Sequence, residues 1–179
     1  MIHFSRTYNF PFKYKIPNFI LIHLHQIALH KRVLKFFRRY LYILINGQKS
    51  LEVFRLLPEH KKILWINVSA ISIGDSLMDL SSRHLINDRQ IDLFTDKKNG
   101  NIYKDDIYFD KVFTNLGDVD KAEYDIVILD SYSSRSMKIK RKVAPKTNYV
   151  GIYGYFNGPE VNRVLFSFHQ MNNLLGYIY

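Results

Sequence analysis

The sequence predicts an α/β fold: a Rossmann-like parallel sheet with a basic, helical N-terminal extension. Three observations predict it. Short apolar runs of strand length alternate with helix-like segments from Ile63 onward. Those runs are continuous rather than alternating, the mark of parallel strands covered on both faces by crossover helices. The charge is also divided along the chain. Lys and Arg number 26 against 16 Asp and Glu, a net of +10. Residues 1–62 hold 12 basic and 2 acidic residues, so they carry the whole excess, while residues 63–179 hold 14 of each. The organisation read from this is a basic extension, 1–62, on an electrically balanced domain, 63–179. A balanced main body argues against a nucleic-acid platform.

Each element follows in order. Residues 1–17 are aromatic and basic, with Pro11 and Pro17, and read as irregular. Asn18 as a cap and Asn46-Gly47 as a stop frame one long helix. Within it Leu29, Val33, Phe36, Phe37, Tyr40 and Leu44 recur at helical spacing, and Lys31, Arg32, Lys35, Arg38 and Arg39 fill the other side. ILWINVSA (63–70) reads as a buried strand, ISIGD (71–75) as a turn and 76–87 as a helix. QIDLFT (90–95) is a second strand, KKNGN (97–101) a loop, and IYFDKVFT (107–114) holds a third strand. LGDVDKAE (116–123) is a polar connection. YDIVILD (124–130) is a fourth strand, SSRSMKIKRKVA (133–144) a helix stopped by Pro145, and NYVGIY (148–153) a fifth strand. A last helix runs from Gly158-Pro159 to Leu175, with Pro in its first turn and Gly176 behind it.

Several classes are excluded. Cysteine is absent, so there is no disulfide framework, thiolate metal site or thiol nucleophile. No charge-free apolar stretch is long enough to span a bilayer. The start, MIHFSRTYNFPFKYKIP, lacks the apolar core and cleavage site of a signal peptide. The expected location is therefore cytoplasmic. G-x-G-x-x-G and the Walker pattern are both missing. The seven His show no ligand spacing, and His23-x-His25 is too close for one helix face. No metal and no cofactor are expected.

The chemistry is sought at the carboxyl ends of strands, where doubly wound sheets bind ligands. The turn after the first strand carries Ser69, Ser72, Gly74 and Asp75. Gly74 offers a backbone freedom closed to other residues. Asp75 at the helix mouth has two readings: a general base toward a substrate hydroxyl, or a cap that complements the helix dipole.

The run ILWINVSAISIGDSLMDLSSRHLI resembles the opening of the ADP-heptose:lipopolysaccharide heptosyltransferases, the family 9 glycosyltransferases, where a strand leads through a Ser-rich turn to Gly-Asp and a helix. RQIDLFTDKKNGNIYKDDIYFDKVF resembles that family's second strand, helix and third strand. EYDIVILDSYSSRSMKIKRKVAPKTNYVGI resembles its "YD-hydrophobic-D…S" strand and the helix and strand that follow. EVNRVLFSFHQMNNLLGY resembles its closing helix. The resemblance covers roughly residues 63–178, and the turn from Ser69 to Gly74 is about two residues longer than the family's.

The resemblance implies one half of a two-domain GT-B arrangement. This half would bind a lipopolysaccharide-core saccharide acceptor at the cytoplasmic face of the inner membrane. Asp75 would be the base for inverting, metal-independent transfer from a nucleotide sugar such as ADP-heptose. Ser72, Gly74, Asp130, Ser134 and Arg135 would line the acceptor side. The donor would bind a second domain, expected beyond Tyr179, so residues 1–179 are expected to lack transferase activity alone.

Other residues carry paired readings. The Ser-rich segment after the fourth strand either contacts the acceptor or caps the next helix. Lys138, Lys140, Arg141, Lys142 and Lys146 either meet acceptor phosphate or form a solvated face. Arg163 and His169 lie on the last helix, and His169 reads as structural. The basic helix, through Lys31, Arg32, Lys35, Arg38 and Arg39, either contacts an anionic membrane surface or packs on the domain, with nucleic acid an unlikely third partner. The alternative to an enzyme half is a catalytically silent module that binds a membrane or a saccharide.

Overall fold

The computed structural model describes residues 16–20, 29–119, 124–155 and 161–177. Five strands form one all-parallel sheet: β1 (Lys62–Asn67), β2 (Gln90–Thr95), β3 (Lys111–Phe113), β4 (Ile126–Leu129) and β5 (Tyr149–Gly151), in the order β3-β2-β1-β4-β5. The fold is α/β and Rossmann-like, as the alternation of short apolar runs predicts. β1 is central, with Leu64 level with Asp92 on one side and Val127 on the other. The strand order reverses between β1 and β4, which makes their carboxyl ends the switch point of the sheet.

The helices among the described residues are α1 (Leu29–Ile45), α2 (Ile73–Asp79), α3 (Lys97–Tyr103), α4 (Ser134–Val143) and α5 (Arg163–Leu174). The period-2 alternation of side chains along a strand divides the core into two layers. Leu64, Ile66, Val127 and Leu129 face one side, where Ile43 of α1 and Met137 and Ile139 of α4 cover them. Ile63, Trp65, Ile91, Leu93, Ile126 and Ile128 face the other, under Leu80, Ile86, Tyr103 and, from α5, Met171 and Leu174. Burial of each such side chain stabilises the fold by about 1.5–3 kcal/mol. This is why the strands are apolar between their end residues, with Asp92 of β2 the exception.

The extension packs onto this domain. The Val53 N–H donates to the Tyr149 carbonyl at 2.9 Å, and the Leu56 N–H to that of Leu174 at 2.8 Å. Gly47, at φ +66°, ends α1 in the left-handed region that favours glycine. Asn18 opens a 3-10 turn, Asn18–Ile20, rather than a continuous helix. Residues 21–28 lie outside the described residues, as do 1–15, 120–123, 156–160 and 178–179. The expected helix start at Gly158-Pro159 therefore falls outside them, as does the irregular segment 1–17 apart from Ile16 and Pro17.

Three elements differ from expectation. The helix after β1 begins at Ile73, because Ser72 caps it, and at Leu80 it tightens into a 3-10 helix, Ser81–Ile86. The expected loop at 97–101 is helix α3, opened by the Asp96 carbonyl, which accepts from the Asn99 and Gly100 N–H groups at 2.9 Å. The last helix begins at Arg163, where the Asn162 side chain accepts from the Leu165 N–H at 3.2 Å.

Candidate functional site

The turn after β1, residues 68–72, is held from three directions. Below it lies Asp130, at the end of β4 and buried. One oxygen of its carboxylate accepts from the N–H groups of Val68 and Ser69, the other from the Ser131 N–H and the Ser136 hydroxyl. Burial pushes this carboxyl above the usual carboxylate range, against the pull of those donors. Beside the turn, Arg135 donates to the Val68 carbonyl at 3.0 Å and pairs with Asp96 at the end of β2. From α3, Lys98 donates to the carbonyls of Ala70 and Ile71 at 3.3 and 2.6 Å. A loop so constrained offers preorganised groups to a ligand.

Hydroxyls crowd this switch point. Ser69 Oγ lies 3.0 Å from Ser131 Oγ, 3.3 Å from Ser133 Oγ and 3.2 Å from Ser136 Oγ. Ser133 also caps α4 by accepting from the Ser136 N–H at 3.1 Å. Ser69 and Ser134 are exposed and Ser133 is half-buried, so this cluster meets solvent.

Asp75 occupies the mouth of α2, and the capping reading is realised there. Its Oδ2 accepts from the Ser72 N–H at 3.1 Å, while Ser72 Oγ accepts from the Asp75 N–H at 3.1 Å, a complete capping box. Its Oδ1 accepts from Arg163 Nη1 of α5 at 3.0 Å. Arg163 also grips Asp79, one turn on, through Nε at 2.8 Å and Nη2 at 2.6 Å. Tyr153 adds its hydroxyl to Asp79 at 2.8 Å. Asp79 is buried, and its bonds and charge raise Arg163 above its ordinary pKa against the desolvating effect of burial. The Asp75 carboxylate is thus partly exposed and fixed in direction by two donors.

Gly74 differs from expectation. It lies inside α2 and outside the left-handed region, and a Cβ there would make only ordinary contact with Ser72 Oγ at 3.8 Å. Nothing in the backbone demands glycine at this position. Asp130, expected to touch an acceptor, is instead the internal brace of both loops, because a carboxylate with four protein donors and no exposure has nothing left for a ligand. Arg135 stays at the surface but reaches across β1 to Asp96 and does not pair with Asp130. Asp79 was missed. Its spacing of four from Asp75 on one helix face was the available signal.

The basic residues divide as well. Lys31, Lys35 and Arg38 are exposed and Arg39 half-buried, whereas Arg32 is buried and lies against the domain rather than on an outward face. Lys31, Lys35, Arg38 and Arg39 line a cavity of about 370 Å³, together with Leu34, Tyr42, Ser133 and Ser134. Lys140 also departs from its expected surface cluster. It is fully buried, donating to Gln48 Oε1 at 2.6 Å and to the Pro145 carbonyl at 3.3 Å, over the Tyr149 ring. Burial pushes its ammonium down to about 8. His169 sits half-buried on α5, its imidazole lowered by desolvation.

Among the described residues, no helix is long and apolar enough to cross a membrane, and no group of three His, Asp or Glu could hold a metal ion. No protein-family model, curated protein or solved structure matches the chain.

Proposed function

We propose that this chain is the acceptor-side half of a nucleotide-sugar-dependent glycosyltransferase resembling the heptosyltransferases of lipopolysaccharide core synthesis. One observation carries the reading. A braced turn joins a cluster of serine hydroxyls at the carboxyl ends of β1 and β4 to an oriented carboxylate, Asp75, at the mouth of α2. The serine hydroxyls there match a polyhydroxylated ligand, and Asp75 would take the proton of an acceptor hydroxyl as its oxygen bonds to the anomeric carbon of the donor sugar and the nucleoside diphosphate leaves. The nucleotide sugar is assigned to a second Rossmann-like domain, whether in the same polypeptide or another. Positioning both substrates supplies much of the rate in such a transfer.

The test is calorimetric titration with a deacylated lipopolysaccharide-core oligosaccharide. Saturable binding that weakens several-fold in Ser69→Ala is the expected result, since one hydrogen bond contributes about 0.5–1.5 kcal/mol. Absence of binding would sink the reading. With a donor domain supplied, Asp75→Asn loses about 10²–10⁴-fold in transfer from ADP-heptose while still binding the acceptor. Transfer by this chain alone would contradict the division of labour.

A second reading is a peripheral contact with an anionic membrane surface, favoured by the outer face of α1. Leu34, Phe37, Leu41, Leu44 and Ile45 are all exposed there, Ile45 by 81%. Their spacing of three, four and seven places them on one stripe. Lys31, Lys35 and Arg38 flank that stripe on one side. This is the pattern of a helix lying in the headgroup plane.

A further inference from the structure

We propose that α1 and α4 together form one docking face for an anionic lipid bilayer, in which α4 sets a row of cations beside the apolar stripe of α1. The proposal rests on the membrane reading of α1 and extends that contact to the body of the domain.

The two helices belong to one layer. Ile43 of α1 and Met137 and Ile139 of α4 cover the same side of the sheet. The buried Lys140 of α4 donates to Gln48, just beyond α1, and ties the two together. Their outward faces therefore point the same way, and helices in contact run about 8–10 Å apart.

The outward face of α4 is basic. Ser136, Met137, Ile139 and Lys140 are buried. Lys138, Arg141 and Lys142 are exposed, and their spacing of three and four gathers them on one side of the helix. Lys146, past Pro145, is exposed as well. Cations that merely complement a helix dipole are needed only in its last turn, and Lys138 and Lys146 lie outside the last turn of α4. The sequence around both helices is free of acid, with no Asp or Glu in residues 29–51 or 131–155. The even count of charges in the domain thus conceals a division in space. Asp88, Asp110 and Asp125 are exposed where the chain enters β2, β3 and β4, at the amino-end rim of the sheet.

Charge alone would suit any polyanion, and the apolar stripe selects among them. Leu34, Phe37, Leu41 and Ile45 stand exposed on α1, with Lys31 and Arg38 beside them. A bilayer takes both kinds of group at once, since apolar side chains enter the acyl boundary while cations meet anionic headgroups. The phosphates of a nucleic-acid duplex offer nothing to Leu34 or Ile45. With α1 in the headgroup plane, the outward face of α4 stands within a Debye length of it, about 10 Å at 0.1 M salt. Each cation so placed strengthens binding about fivefold.

Co-sedimentation with vesicles of equimolar phosphatidylglycerol and phosphatidylcholine tests this. Lys138→Gln/Arg141→Gln/Lys142→Gln is expected to bind at least tenfold more weakly than the parent, with unchanged thermal unfolding because all three sites are exposed. Lys61→Gln/Lys97→Gln/Lys104→Gln removes the same charge from the amino-end rim and from α3, which covers the other side of the sheet, and should bind like the parent. The chain has no cysteine, so a nitroxide can be attached at one introduced site. At Lys142→Cys it should relax faster with a nickel chelate carried on lipid, and at Lys104→Cys it should not. Equal losses in the two triple variants, or a label at 142 that senses no lipid, overturn the proposal. An α4 variant that binds as well as a binding parent confines the contact to α1, which overturns the proposal and leaves the α1 reading intact. A parent that does not bind refutes both. Duplex-DNA binding that Phe37→Asp/Leu41→Asp retains and the α4 variant loses reassigns the face to nucleic acid and overturns the proposal.

Discussion

Removal of the Asp130 carboxylate leaves three backbone N–H groups and the Ser136 hydroxyl without their acceptor. Each orphaned buried donor costs about 1–3 kcal/mol, reduced where water can enter. Asp130→Ala is therefore expected to lose on the order of 3 kcal/mol or more in urea unfolding, and a loss below about 1 kcal/mol would contradict the bracing role. Lys140 makes a second prediction, in pH. Its folded-state value is lowered from 10.5 to about 8. Below that value both folded and unfolded chains hold the proton, and the cost of burying the charge is constant. As pH rises from about 8 toward 10.5 the unfolded chain binds more protons, so stability rises with pH, by on the order of 3 kcal/mol in full. Urea unfolding at pH ~7 and ~9.5 should show that rise in the parent and not in Lys140→Met. Both residues were visible in the sequence, but their roles were not. Asp130 and Lys140 are charged residues beside exposed serines and lysines, and only the tertiary packing decides that they point inward. Asp75 was legible because its two candidate roles both place it at a helix mouth. The role of Arg163 depends on α5 crossing α2, which spacing along the chain cannot show.

Asn99-Gly100-Asn101 has the composition of a turn, yet the chain forms helix α3 there. The structure supplies the reason for the glycine. A Cβ on Gly100 would collide with Thr114 Cγ2, so α3 can approach the end of β3 only without a side chain there. Gly100→Ala is expected to destabilise by about 1–3 kcal/mol, although alanine alone favours a helix by about 1 kcal/mol. Thr114→Ser removes the colliding methyl and should restore most of the loss. A double-mutant cycle with no coupling between the two sites would refute this packing account. The strands were legible to within a few residues, since a run such as Ile126–Leu129, buried at every position, has no other place in the fold. The start of α2 was not, because Ser72 and Asp75 lock it three residues before the apolar pattern begins.

At the scale of the molecule, the charge division and the strand alternation together carried the architecture, and the five-stranded parallel sheet follows from them. What they could not carry was how the extension meets the domain. Its helix is amphipathic in two senses: Ile43 and Arg32 face the domain, while Leu34, Phe37 and Leu41 face out. The stripe predicted from Val33, Phe36, Phe37, Tyr40 and Leu44 is shared between these faces. For the outer face, co-sedimentation with phosphatidylglycerol vesicles should fall at least tenfold in Phe37→Asp/Leu41→Asp, since each substitution removes roughly 1.5–3 kcal/mol of apolar burial. Zwitterionic vesicles should bind the parent more weakly, and added salt should narrow the difference. Binding that the double variant retains would refute a membrane contact through the outer face of α1.

The packing of α1 against α4 also sets a schedule for synthesis. About a hundred residues separate the two helices, so at about 5–20 residues per second α1 leaves the ribosome some 5–20 s before its partner exists. Through that interval both of its apolar faces are uncovered, and β1, β2 and β3 emerge behind it without a cover for one side of the sheet. The nascent chain therefore offers a basic, aromatic helix to whatever surface is nearest before it has a folded domain to attach to. Were that surface a bilayer, the rest of the chain would fold where the helix had already docked, and docking would precede completion of the sheet.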